Sequence, residues 1–123
     1  MRLHQVAQRA EDLERATTFY SRLLGVEPIA SFDPPGLVFF DLDGVRLLLD
    51  RAAPSALVYL AVEDVRAVID DLRADGVEVL AEPHVIFRDD QGTFGAAEHD
   101  EWMAFVMDSE GNTIGLASRH PSI

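Results

Sequence analysis

Two arginines, one histidine and a short acidic stretch are the residues of this chain whose types could do chemistry. Arg9 and Arg46 carry guanidinium groups, which clamp carboxylates through paired N–H donors. The competing role for each is an internal salt bridge, with Asp50 or Glu98 as candidate partners. His84, in Glu82-Pro83-His84, lies in an otherwise apolar segment. It could donate to a ligand, act as a base near neutral pH, or bind metal together with Glu101 or His99; the alternative is a hydrogen-bonded structural histidine. The set His84, Glu98, His99 and Glu101 has a spacing that matches no ligand motif. Tyr59, Phe40, Met103, Phe105 and Trp102 could supply flat walls for an aromatic ligand, or serve as core and dimer contacts. No serine stands in a nucleophile-elbow sequence, and Gly92–Gly95 is too loose to cradle phosphate. His4 is expected to face away from this chemistry, and His120 lies in the tail.

The elements that must position these residues are written twice. Glu11-Asp12-Leu13 opens a helical pattern that closes at Gly25-Val26-Glu27, and Glu63-Asp64-Val65 opens another that closes at Gly76-Val77-Glu78. The turn Asp43-Gly44 before Val45–Asp50 answers to Glu110-Gly111 before Thr113–Ala117. Each half therefore reads as strand, helix and further strands, an internal duplication. In the first half, Leu3–Arg9 is a strand, and Asp12 caps a helix with Leu13, Ala16, Tyr20, Leu23 and Leu24 inward, ended by Gly25. Ile29–Phe32 follows, then a hairpin of Leu37–Leu42 and Val45–Asp50. In the second half, Leu57–Val62, a helix over Asp64–Asp75 with Val65, Val68, Ile69 and Leu72 inward, and Val77–Ala81 repeat the order. The polar stretch Arg88–Glu101 is a lid or plain surface, followed by strands Trp102–Met107 and Thr113–Ala117. The organisation expected is a single domain over 1–123, with a first βαβββ unit at 1–50, a linker at 51–56 and a second unit at 57–123.

Alternation assigns faces. Val45, Leu47 and Leu49 go under a helix, leaving Arg46, Leu48 and Asp50 opposite. Likewise Leu57, Tyr59 and Ala61, and Thr113, Gly115 and Ala117, face away from the core. If Val6 faces the helix, then Gln5 and Arg9 share the other side.

At 123 residues, 48% hydrophobic and 26% charged, the chain suits one soluble domain. A formal charge of −12, scattered rather than blocked, argues against nucleic acid or anionic lipid as a partner. No cysteine is present, which excludes disulfides, thiolate nucleophiles and Cys-bound metals. No apolar run reaches the roughly 18 residues of a membrane span, so no membrane association is expected. With no leader pattern, a cytoplasmic location is the expectation.

The helix sequence Glu-Asp-Leu-Glu-Arg-Ala-Thr-Thr-Phe-Tyr-Ser-Arg-Leu-Leu-Gly-Val (11–26) and the ending Asp-Ser-Glu-Gly-Asn-Thr-Ile (108–114), within paired βαβββ units, resemble the vicinal oxygen chelate superfamily. This group includes glyoxalase I, methylmalonyl-CoA epimerase, extradiol dioxygenases and the fosfomycin and bleomycin resistance proteins. The resemblance implies an α+β fold of two βαβββ units in a cupped mixed sheet, glyoxalase/bleomycin-resistance-like, usually dimeric, with a divalent metal held by His, Gln or Glu. Carried over by position, the family's ligand sites fall on Gln5, Leu48, Leu57 and Gly115, of which one is a ligand type. A lone amide oxygen holds a divalent ion no better than water does. The usual metal site is therefore expected to be lost, with no cofactor and no metal-dependent glyoxalase, epimerase or dioxygenase chemistry. The expected site is a cup lined by Gln5, Arg9, Arg46, Leu48, Leu57, Tyr59, His84 and Gly115. It would bind a small, anionic or aromatic organic molecule in a homodimer. The alternative is a lyase or isomerase of the same superfamily using His84 as catalytic residue, or a displaced metal.

Overall fold

The computed structural model covers residues 1–123. It divides into two compact units, Met1–Leu57 with Asp108–Asn112, and Val58–Met107 with Thr113–Ile123.

In the first unit, β1 (Gln5–Arg9), α1 (Leu13–Leu24), β2 (Ala30–Phe32), β3 (Leu37–Leu42) and β4 (Val45–Asp50) build a four-stranded mixed sheet in the order β1-β4-β3-β2. The parallel β1–β4 pair needs a crossover, which α1 begins and β2 and β3 complete. The helix starts where the Asp12 side chain accepts the Arg15 N–H, and it stops where Gly25 turns left-handed at φ 71°. Its buried residues Leu13, Ala16 and Tyr20 cover Val38 and Phe40 of β3 and Leu47 and Leu49 of β4. Period-2 alternation then leaves Gln5, Arg9, Phe39, Arg46 and Leu48 on the face without a helix.

The turn Asp108-Ser109-Glu110-Gly111-Asn112 completes this unit. Asp108 is 6% exposed and accepts from the Tyr20 hydroxyl at 2.6 Å, from the Glu110 and Asn112 N–H groups, and from the Asn112 side chain. Burial first, and then the bond to Asp108, holds the Tyr20 phenol well above its ordinary range, so it stays a donor. Glu110 accepts from the Asp12 N–H and from the Arg15 guanidinium at 2.7 Å.

Burial raises the Glu110 pKa, but the bonds from Arg15, Asp12 and Ser109 outweigh it and leave the carboxyl below its usual range. A carboxyl lowered in the folded state contributes stability that is complete above its unfolded value, about 4, and is lost as pH falls through the folded value. Relief of the net negative charge works in the opposite direction on acidification, so the informative quantity is the gap between wild type and Glu110→Gln. Urea titrations are expected to show wild type ahead at pH 7, with the gap closing below about pH 4. A gap that widens in acid would contradict the assignment.

The second unit holds β5 (Val58–Ala61), α2 (Val65–Ala74), β6 (Val79–Asp89), β7 (His99–Met107) and β8 (Thr113–Pro121), its sheet ordered β5-β8-β7-β6. Asp64 caps α2 through the Arg66 N–H, and Ser118 accepts the Val65 N–H at 3.0 Å. Val65 and Ile69 pack on Ala104, Val106, Ile114 and Leu116, all buried. No helix is long and apolar enough to cross a membrane.

The last three strands are longer than the sequence pattern suggests. The stretch expected to be loop from Arg88 to Glu101 is strand at both ends, leaving residues 90–98 as the connection. That connection is folded rather than loose. The buried Asp89 carboxylate accepts from the Thr93 and Phe94 N–H groups and from Arg119 at 2.9 Å, and Arg119 also donates to the Ala96 carbonyl. These donors, the Phe94 N–H foremost, hold the Asp89 carboxyl below its usual range. Three register shifts in β6 against β7 hide the alternation by which a strand is recognised.

Candidate functional site

In the first unit the helix-free face carries an arginine set by its neighbours. Gln5 lies opposite Arg46 across the parallel pair, and its amide oxygen accepts from Arg46 Nε at 3.0 Å. Arg46 Nη2 is 2.8 Å from His4 Nε2, and the guanidinium carbon lies 5.6 Å from the centre of the Phe39 ring. His4, expected to point away, thus reaches this cluster from just before β1. Neither Asp50 nor Glu98 pairs with Arg46; Asp50 instead accepts the Ala52 N–H. No carboxylate within the unit approaches Arg46 to salt-bridge distance, whereas Arg15, Arg51, Arg66, Arg73, Arg88 and Arg119 each hold one. All ten basic side chains of the protein are arginine against 22 acidic ones, so an arginine without a carboxylate is uncommon here. Arg9 is exposed on the same face, opposite Asp50 in register; its backbone is held by Ser55 and Asn112. Leu48 is 7% exposed between Ala7 and Phe39, and Leu57 is 50% exposed at the end of the unit.

In the second unit, Tyr59 on β5, Gly115 on β8 and Phe105 on β7 stand side by side across the sheet. A Cβ placed on Gly115 would meet Tyr59 Cδ1 at 2.5 Å, so the missing side chain is what lets the tyrosine ring lie over the strand. Tyr59 and Phe105 meet edge to face with centroids 5.9 Å apart. One step along the sheet, Ala61, Ala117, Met103 and His84 form the next row. The bulges in β6 turn His84 onto the Met103 side, and His84 Nδ1 lies 2.8 Å from the Glu82 carbonyl. A carbonyl only accepts, so Nδ1 carries the proton and Nε2 is left as the basic, outward nitrogen.

Trp102 does not join this face. It lies on the helix side, with the Arg66 guanidinium 4.9 Å from its ring centre and His120 edge-on to it. Phe40 is fully buried beneath α1 and is core. His99 bonds the Ala97 carbonyl, Glu101 faces Arg119, and no three His, Asp or Glu side chains gather to hold a metal ion, so His84, Glu98, His99 and Glu101 form no site together.

The family's metal positions are not fitted to a metal. The Gln5 oxygen is occupied by a cation's N–H, Leu48 and Leu57 have no donor atom, and Gly115 lies beneath Tyr59. Sequence reasoning missed a cavity of about 660 Å³ on the helix side of the first unit, lined in part by Glu11, Asp12, Thr17, Asp33 and Arg51. Two of its three acids named here are engaged, Asp12 as the helix cap and Asp33 with Arg51.

Tandem βαβββ units, each a mixed sheet with one helix, define a glyoxalase-like fold class. The chain belongs to the Glyoxalase/Bleomycin resistance protein/Dioxygenase superfamily, whose family model it matches over residues 2–116. Among solved structures, a superfamily member from Sphaerobacter thermophilus DSM 20745 is similar at 20% identity and TM-score 0.71, covering 96% of this chain and 97% of that one. The lactoylglutathione lyase of Agrobacterium tumefaciens is similar at 20% identity and TM-score 0.69, covering 95% and 92%. A structure described only as a conserved domain protein reaches TM-score 0.74 at 17% identity, covering 98% and 100%. These likenesses show the fold. A comparison with curated proteins finds no match.

Proposed function

We propose that this protein binds a small anionic organic molecule on the helix-free face of its first unit, with Arg46 as the anion clamp and with no metal at the family's usual position. One observation carries the reading. In a chain of charge −12, Arg46 is held by two neutral acceptors, Gln5 and His4, rather than by a carboxylate. Its remaining N–H donors can meet a ligand carboxylate in paired geometry, with Phe39 beneath as an apolar wall. Arg9 adds a second positive charge farther along β1. A homodimer, as the resemblance implies, belongs to the same reading and is checked by sedimentation.

Calorimetric titration with benzoate and its neutral counterpart benzamide tests the clamp. The carboxylate is expected to bind about tenfold more tightly, and Arg46→Leu is expected to remove that advantage. Equal affinities in wild type, or a preference that survives Arg46→Leu, would sink the proposal.

A second reading, a lyase or isomerase acting through His84, is favoured by the tautomer fixed at Glu82, which leaves Nε2 free to take a proton. It requires an activity that collapses in His84→Ala and survives Gln5→Ala.

A further inference from the structure

The second unit presents a slot whose shape and donors select a different part of a ligand. Its floor is small, Ala61 and Ala117 in one row and Gly115 in the next. Tyr59 and Phe105 stand along one side, edge to face, and Met103 lies between Ala117 and His84 in the same row as the floor. Tyr59 is 51% exposed, so half of a large side chain faces outward instead of filling a core. At the far end, His84 Nε2 is an acceptor, because Nδ1 is committed as donor to the Glu82 carbonyl.

We propose that this slot binds a flat aromatic ring bearing a hydroxyl donor, the ring over Ala117 and the Met103 thioether and the hydroxyl bonded to His84 Nε2. The small floor admits a plane and crowds a puckered ring. The aromatic walls and the thioether favour a π-system over a saturated ring of equal size. Strands about 4.8 Å apart place His84 two strands from Ala117, a span that a phenol bridges with its ring and hydroxyl together. Gly115 sets the slot open. A methyl group there collides with Tyr59 at 2.5 Å and pushes the ring off its seat. The inference deepens the ligand-binding reading by naming a ligand class and rests on it for biological meaning, but its test uses uncharged probes and does not involve Arg46.

Phenol and cyclohexanol are titrated into the protein labelled at its methionine and alanine methyl groups, with chemical shifts followed by NMR. Phenol is expected to bind about tenfold more tightly than cyclohexanol and to move the Met103 and Ala117 methyl signals most. Gly115→Ala and Tyr59→Leu should each bring the ratio toward one. His84→Phe should weaken phenol while leaving toluene unchanged. Tyr59→Leu, at an exposed site, keeps the test valid if Gly115→Ala fails to fold. A ratio near one in wild type, shifts centred elsewhere, or a ratio unmoved by Tyr59→Leu would overturn the proposal. Arg46→Leu should leave the phenol ratio intact, so the anion reading and the aromatic reading fail separately.

Discussion

Replacing Asp108 with alanine is expected to destabilise the protein by on the order of 4 kcal/mol, seen as a fall in thermal midpoint of about 15 °C. The size follows from what the carboxylate leaves behind. Its removal strands a buried tyrosine hydroxyl, two backbone N–H groups and one donor of Asn112, and each buried donor without a partner costs about 1–3 kcal/mol. Partial access of water to the turn keeps the sum below the simple total. Tyr20→Phe removes one donor and leaves the carboxylate otherwise satisfied, so it should cost only about 1–2 kcal/mol. Gln8 offers a sharper contrast. It is fully buried, donates to the Tyr20 oxygen at 3.3 Å, and has an amide oxygen with no partner. Gln8→Leu should therefore be nearly neutral, since the bond it loses is long and the orphan acceptor goes with it. Calorimetry on the three variants checks the order Asp108→Ala, Tyr20→Phe, Gln8→Leu. A large loss for Gln8→Leu with a small one for Asp108→Ala would mean that the helix, not the turn, organises this network.

The same network shows what could be read without coordinates. Asp12, Gly25 and Asp64 act at the helix ends where capping chemistry puts them, and β3 and β4 run over the residues expected from alternation about Asp43-Gly44. These signals are local, so one sequence suffices to see them. The β6–β7 arm was illegible because residues 84–88 are exposed and the strand bulges three times, leaving neither a buried row nor a period of two. At the site, alternation put Arg46 and Gln5 on one face, but it could not show that they bond to each other or that His4 reaches back to Arg46. Those contacts depend on side-chain reach across a strand pair. Likewise Gly115 reads in sequence as an empty ligand position. Its role as the seat of Tyr59 needs the register of β5 against β8. Trp102 went to the opposite face from the one considered because its strand begins three residues earlier than the apolar run does.

The duplication makes a second large effect testable by symmetry. Leu49 on β4 and Leu116 on β8 stand at the same distance from the turn glycines Gly44 and Gly111, and both are fully buried, each within its own unit. Leu49→Ala and Leu116→Ala are each expected to cost about 3 kcal/mol, the transfer of a leucine side chain plus the cavity left beneath a helix that cannot follow it inward. The neighbouring pair breaks the symmetry. Leu48 is 7% exposed on the helix-free face, whereas its counterpart Gly115 has no side chain and is covered by Tyr59. Leu48→Ala should then cost less than Leu49→Ala, while Gly115→Leu should be destabilising because the added side chain meets an aromatic ring rather than solvent. Urea unfolding of the four variants decides whether the repeat is energetic as well as sequential. Matched losses at Leu49 and Leu116 with opposed behaviour at 48 and 115 would show that the two sheets keep a common helix-side core and have diverged on the face that carries Arg46 in one unit and Tyr59 in the other.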